Sequence, residues 1–249
     1  MSDRLNWPIV NFERSLKPLE VRMARFVCVE CLIRTDMDVL WGFTQRPDLH
    51  QRWDLRFTEI DYLPRVADQP QRFRYTFRFL PGLVIDGDGV TAGDRRDPGR
   101  RTSALRFASG HPLSLIRSGS GYWRYVATDD GVRFITRYGY RPGWGEAVDL
   151  VFRPLIGWAT AWSFDRLRLW LESGQTPERS LWQALAEVCL RTLATAVTIA
   201  TTPTAVACLV GAAAVLLPPL PSTPAARRCL RRPPDRQTAT APHTLMETP

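Results

Sequence analysis

Residues 72–79, RFRYTFRF, alternate without a break: Phe73, Tyr75, Phe77 and Phe79 fall on one side, and Arg72, Arg74, Thr76 and Arg78 on the other. A strict period of two suits a pleated strand and wraps all the way round a helix, so this segment is a β-strand with one aromatic face and one wet face. It sits in a longer series. From residue 55 to residue 141 short apolar runs are separated by turn residues, with no helical stretch between them, and that pattern predicts an antiparallel sheet rather than βαβ units. Asp97-Pro98-Gly99-Arg100 and Asp129-Asp130-Gly131 carry the turn chemistry of hairpins, the first joining strands around 90 and 105, the second joining strands around 122 and 135. In the last strand Val132, Phe134, Thr136, Tyr138 and Tyr140 alternate with Arg133, Ile135, Arg137, Gly139 and Arg141, so one face is again aromatic and the other mostly basic.

The flanks read differently. Arg25 to Arg34 is rich in β-branched and apolar residues and predicts a strand; Thr35 and Asp36 are good N-cap types, and a helix follows through Val39, Leu40 and Phe43 to its stop at Pro47. A short helix or turn covers Pro47 to Trp53. After Pro142-Gly143 the period becomes helical: Val148, Val151, Phe152, Leu155, Trp158, Ala159, Trp162 and Leu169 form one stripe of a helix about eight turns long. Pro154 should kink this helix or mark its start, and Gly174 is placed to cap it. Residues 1–23, with Pro8 and Pro18 and no clean period, form an extension, and 24–174 form the folded domain.

Charge and cysteine content exclude some functions. Lys and Arg total 33 against 25 Asp and Glu, a net charge of +8. Lys17 is the sole lysine, so the basicity reflects an Arg-biased composition more than selection for a polyanion, and part of it lies in the tail. The Arg rows of the sheet (Arg72, Arg74, Arg78, Arg133, Arg137, Arg141) are therefore read as a solvated face, with no nucleic-acid partner. Five scattered cysteines and a start without a basic-then-apolar signal point to a reducing, cytoplasmic setting. Cys28 and Cys31 have CxxC spacing, but residues three apart on a strand face opposite ways and no second pair completes a ligand set, so no metal and no cofactor is expected.

Strand, helix, short helix, a run of antiparallel strands and one long helix is the helix-grip order. In that order, and in the first strand running into Asp38-Val39-Leu40-Trp41, in Pro47-Asp48-Leu49-His50-Gln51-Arg52-Trp53-Asp54, in Asp130-Gly131-Val132-Arg133-Phe134-Ile135-Thr136 and in the closing helix, the chain resembles the SRPBCC superfamily over about residues 24–173. That superfamily groups START lipid-transfer domains, birch-pollen-allergen proteins, polyketide cyclases/dehydrases and the G-type component of carbon monoxide dehydrogenase. The resemblance implies an α+β fold, a curved antiparallel sheet wrapped around the long helix, with a mostly apolar cavity between them.

The residues that would line such a cavity are Trp53, Phe73, Tyr75, Phe77, Thr136, Tyr138, Tyr140, Trp158 and Trp162. Core packing is the default role of aromatics. What favours a ligand is that Tyr75, Thr136, Tyr138 and Tyr140 put hydroxyls on an otherwise apolar face, where buried hydroxyls need partners. No catalytic residue is assigned. His50 beside Asp54 is read as a surface or capping pair next to Trp53, and Asp86 and Asp88 as a solvated turn; no GxSxG, P-loop or dinucleotide fingerprint is present.

Between Arg191 and Arg227 there is no charged residue. With the domain complete by Gly174, so long an apolar stretch has little left to bury against, and residues 181–221 are read as a membrane segment. Arg227, Arg228, Arg231 and Arg232 should hold its far end in the cytoplasm, which leaves open a single span, a helical hairpin broken near Pro203, or an interfacial helix beginning at Leu181. Residues 222–249, rich in Pro and Arg, are expected to be disordered. Together these readings describe a cytoplasmic helix-grip domain that binds a hydrophobic small molecule or lipid at a membrane. A polyketide cyclase/dehydrase-like enzyme, with Tyr75, Tyr138 or His50 as its polar residues, is the alternative, and a non-catalytic interaction module the second. The G-type component of carbon monoxide dehydrogenase is the nearest analogue in layout, since it too joins this fold to a C-terminal membrane segment.

Overall fold

The computed structural model describes residues 26–65, 69–80 and 82–232. The extension at 1–23 and the end of the tail, 233–249, lie outside the described residues. Seven strands form one antiparallel sheet in the order β1-β7-β6-β5-β4-β3-β2: β1 (Val27–Ile33), β2 (Glu59–Tyr62), β3 (Arg72–Leu80), β4 (Leu83–Asp97), β5 (Arg100–Ala108), β6 (Ile116–Thr128) and β7 (Gly131–Pro142). The two hairpin turns fall where the Asp-Gly signals place them, and Gly99 and Gly131 take the positive φ that those turns demand, 70° and 131°.

Between β1 and β2 lie α1 (Met37–Gln45) and α2 (Pro47–Trp53); α2 opens with Pro47 in its first turn, where a missing N–H costs nothing. After β7 comes α3 (Glu146–Ser173), ended by Gly174 at φ 68°. Pro154 stands inside α3 and does not mark its start. This is the helix-grip arrangement, α+β, with one long helix across the inner face of one sheet.

Along β1 and β7 that inner face carries Val29, Cys31, Ile33, Val132, Phe134, Thr136, Tyr138 and Tyr140, all buried, and it packs on the C-terminal half of α3. Phe134 stacks on Phe164 with centroids 4.3 Å apart, and Trp53, Tyr125, Leu40 and Leu167 close around them with essentially no exposure. Each such side chain contributes about 1.5–3 kcal/mol by burial. The outer face is charged and largely self-neutralised: Arg133 pairs with Glu30, Arg78 with Glu59 and Arg74 with Asp88.

Two further helices follow, α4 (Pro177–Thr201) and α5 (Thr204–Leu216). The chain then returns to the domain. Residues 222–230, expected to be disordered, instead form a short 3-10 turn at Ala226–Arg228 and a backbone bridge from Leu230 to Glu30. Buried Asp165 explains the difference, because its carboxylate accepts the Ala225 N–H and the Arg228 guanidinium at 2.8 and 2.9 Å. A side chain from the middle of α3 supplies the partner that composition did not reveal.

Candidate functional site

The inner face divides into two unlike halves. Under residues 160–167 of α3 it is packed solid. Towards β3 a different rule operates, visible in a single row across five strands: Phe73, Gly89, Phe107, Gly119 and Tyr140 are successive register partners. Aromatic and glycine alternate, and the glycines let the rings lie down. A methyl group at Gly89 would meet the Phe73 ring at 2.2 Å, and one at Gly119 would meet the Phe107 ring at 2.5 Å. Tyr75 lies over Gly87 in the same way, with its hydroxyl donating to the Ala108 carbonyl at 3.3 Å. Rings laid flat on neighbouring strands make a shallow aromatic floor instead of filling the space above it. Phe73, Tyr75, Phe77 and Phe107 are only half-buried there, in contrast to the sealed rings at the other end.

One flank of α3 is apolar and uncovered. α3 leans on β1, since a methyl group at Gly157 would sit 3.8 Å from Val27. At 100° per residue, Val151, Leu155, Trp158 and Trp162 lie on the flank turned away from β1 and from the side of α3 that meets Tyr138 and Tyr140 through Thr160 and Asp149. Val151, Leu155 and Trp158 are exposed, and Trp158 stacks on buried Trp162. A cleft of about 360 Å³ opens on the opposite flank, between Phe26, Val27 and Cys28 and the first turns of α3 at Leu150, Arg153 and Gly157. It has the room but lacks the aromatic floor.

Polar groups converge at the inner end of the floor. The Tyr138 hydroxyl meets that of Thr160 at 3.0 Å, and the Arg56 guanidinium lies 5.5 Å from the centre of the Tyr138 ring. Arg56 is held by a two-pronged ion pair to Asp54, Nε to Oδ1 at 2.9 Å and the second nitrogen to Oδ2 at 2.6 Å. Asp54 is fully buried, and desolvation alone would raise its pKa; the Arg56 charge and hydrogen bonds win and hold it well below the carboxylate range. His50 lies 3.2 Å from the same carboxylate and packs among Trp53, Phe57 and Trp123. Burial pushes its pKa below the ordinary value despite Asp54. The surface reading of His50 and Asp54 is thus corrected: the α2 turn carries both inward. At the outer end, Tyr140 donates to Asp149 at 2.7 Å, and burial and that bond push its pKa up; Arg153 holds the other oxygen of Asp149.

The nine residues read from the sequence as lining a cavity separate accordingly. Phe73, Tyr75, Phe77, Tyr138 and Tyr140 share the face that carries the floor. Trp158 and Trp162 stack on each other on the flank of α3 turned away from it. Trp53 and Thr136 sit in the packed half, Trp53 donating to the Phe43 carbonyl at 3.0 Å and Thr136 to the Tyr122 carbonyl at 3.3 Å. The residues missed are Arg56, Phe57, Phe107 and Thr160, together with Gly89 and Gly119. The Gly87-Asp88-Gly89 and Gly119-Ser120-Gly121 spacings were the available signal, because glycines two apart on a strand expose one face to a neighbour's ring.

No family model matches the chain. Among curated proteins it is 46% identical over 168 residues to one from Bacillus subtilis (strain 168) described as the uncharacterized membrane protein YndG, a stretch that makes up 65% of this chain and 63% of that one. The chain therefore spans less than two thirds of that relative's length. Similar solved structures include the di-domain aromatase/cyclase StfQ from the steffimycin biosynthetic pathway, with a TM-score of 0.45 and 16% identity over 59% of this chain and 50% of that one. Ara h 8.0201 follows at 0.42 and 12%, over 53% and 87%. A protein from Arthrobacter aurescens gives 0.47 and 9%, over 62% and 90%.

Proposed function

We propose that the domain takes up an apolar small molecule or lipid over the aromatic floor, in the manner of an SRPBCC carrier, while its C-terminal helices hold it at the cytoplasmic face of a membrane. The row Phe73-Gly89-Phe107-Gly119-Tyr140 carries this reading. A core that only needed to be stable would fill the space above those glycines, and here the rings lie flat and stay only half-buried. Apolar lining with a few convergent polar groups is the usual composition of a small-molecule site, and Tyr138, Thr160 and Arg56 supply those groups. The membrane part is supported by the exposed apolar helices and by the description of the Bacillus subtilis relative.

Native mass spectrometry of the full-length chain in mild detergent, followed by organic extraction, tests the proposal. A stoichiometric apolar compound is the expected result. A folded chain that is empty and takes up no lipophilic probe overturns it. A cyclase/dehydrase-like enzyme is the second reading, favoured by the convergence of His50, Arg56 and Tyr138 on one end of the floor. It predicts that a bound polyketone is returned chemically changed, whereas a carrier returns it intact.

A further inference from the structure

We propose that α4 and α5 form a hairpin that enters one leaflet of a bilayer and turns back without crossing it. The inference rests on the membrane attachment proposed above and adds its depth and topology. α4 is long and apolar enough to span, at 25 residues. Its start, however, is committed to the domain: Pro177 and Ser180 are buried, Glu178 pairs with Arg52, and Arg166 donates to the Pro177 carbonyl. Glu187 and Arg191 then pair with each other one turn apart. Only Thr192 to Thr201 extend past that ion pair, about 15 Å of helix.

The return arm ends at the same level. Arg191 donates to the carbonyls of Ala214, Leu217 and Pro218 at 2.8, 2.9 and 2.8 Å, and so closes the C-terminal end of α5, while Glu187 accepts the Leu220 N–H. α5 has 13 residues, short of the roughly 20 needed to cross. The arms pack through small side chains, with a methyl group at Gly211 only 3.6 Å from Thr195. Beyond the Glu187–Arg191 pair the structure therefore presents a charge-free wedge about 15 Å deep, the thickness of half a hydrocarbon core.

The wedge is also prepared for hydrocarbon. No residue from Leu181 to Leu217 is buried, and Val197, Ile199, Leu209, Val215 and Leu216 point outward. Hydroxyls that water would otherwise serve are satisfied internally: Thr195, Thr198, Thr201 and Thr202 each donate to the carbonyl four residues back. At the tip Pro203 has no N–H to satisfy, and its carbonyl accepts from Val206 and Ala207. Below the ion pair, exposed Trp182 is placed for the headgroup level, and Arg227, Arg231 and Arg232 for anionic lipid.

The test uses the full chain with exposed Cys189 and Cys208 changed to Ser, the buried cysteines kept, and one fluorophore at Thr202→Cys or, as a base control, at Leu185→Cys. The chain is bound to vesicles of phosphatidylcholine and phosphatidylglycerol. A tip in the midplane is quenched about twofold more by lipid brominated near the chain end than by lipid brominated near the headgroup, and iodide on either side fails to reach it. Iodide quenching of position 202 from the side opposite position 185 overturns the one-leaflet topology and leaves attachment standing. A chain that does not float with the vesicles overturns attachment itself, and neither outcome bears on uptake by the aromatic floor.

Discussion

The hydroxyls of Tyr138 and Thr160 meet at 3.0 Å, joining β7 to α3 where the packed half of the inner face gives way to the open half. Their roles are unequal. Thr160 already donates to the Ile156 carbonyl at 2.8 Å, so in this pair the Tyr138 hydroxyl donates. Tyr138→Phe leaves the Thr160 hydroxyl its Ile156 acceptor and should cost about 0.5–1.5 kcal/mol, whereas Thr160→Val buries a hydroxyl without its acceptor and should cost about 1–3 kcal/mol. Urea unfolding of both variants checks the order. Equal costs would mean that the bond does not join sheet to helix as described.

The flat rings give a second expectation. In Gly89→Ala the new methyl would collide with the Phe73 ring at 2.2 Å, and the ring must lift into the space above the floor. Overpacking of this kind costs about 1–3 kcal/mol, and the lifted ring should lower uptake of an apolar fluorescent probe while the fold persists. Phe73→Ala removes the obstacle. The double variant should regain uptake and show a favourable coupling of about 1 kcal/mol in a double-mutant cycle; purely additive effects would show that the ring does not lie on Gly89.

Asp54 carries a third. Its carboxylate is fully buried and answers the Arg56 guanidinium, which is itself mostly buried. Asp54→Ala strands that cation among Phe57 and Tyr138 and should cost about 3–5 kcal/mol, the usual penalty for breaking a buried pair. Asp54→Leu combined with Arg56→Met removes both charges and should be far milder. Denaturant midpoints for the two variants separate the cost of breaking the pair from its net contribution.

How far these residues could be foreseen follows from the range of their contacts. The strand pattern at 72–79, both Asp-Gly hairpins and the Gly174 cap depend on near neighbours in sequence, and each was legible. The aromatic face of β7 was legible too, because alternation alone puts Tyr138 and Tyr140 together. Whether a ring on that face is buried in a core or laid on a floor depends on its register partner, as Phe73 does on Gly89 and Phe107 on Gly119, and a single strand's pattern carries no register. The tail obeys the same rule: Ala225 and Arg228 are ordered by Asp165, some sixty positions away, and nothing within the Pro- and Arg-rich run shows that partner. The short α2 turn, and not their own chemistry, aims His50 and Asp54 inward, so residue type alone does not reveal their burial.

His50 makes stability depend on pH. Burial sets its folded pKa below the ordinary value of 6.5, with Asp54 opposing and Arg56 reinforcing the shift. A lowered base is unprotonated in the fold while the unfolded chain takes up a proton, so stability is complete above about pH 6.5 and falls as pH drops from there towards the folded pKa. His50→Gln, which cannot titrate, should flatten the unfolding free energy over that window and leave the acid limb below about pH 4 in place. A slope unchanged by the substitution would show that the proton goes elsewhere.

Arg228 tests whether the returning tail is fastened by one side chain. Its guanidinium donates to Asp165 at 2.9 Å and to the carbonyls of Thr223 at 2.6 Å and Leu220 at 2.8 Å, so it ties the end of the hairpin to the middle of α3. Charge-assisted bonds of this kind are worth about 1.5–3 kcal/mol, and Asp165 retains Arg168 and the Ala225 N–H when Arg228 is lost. Arg228→Ala should therefore loosen the tail locally while the sheet stays folded. The amides of Ala225 and of Leu230, which bonds the Glu30 carbonyl at 2.8 Å, should exchange about 10–100-fold faster, with those of β6 unchanged. Asp165→Ala, which takes one buried acceptor from Arg168, Arg228 and the Ala225 N–H at once, should instead lower protection throughout α3. Unaltered exchange at Leu230 in the Arg228 variant would place the fastening in the Cys229 and Ala226 packing and not in the ion pair.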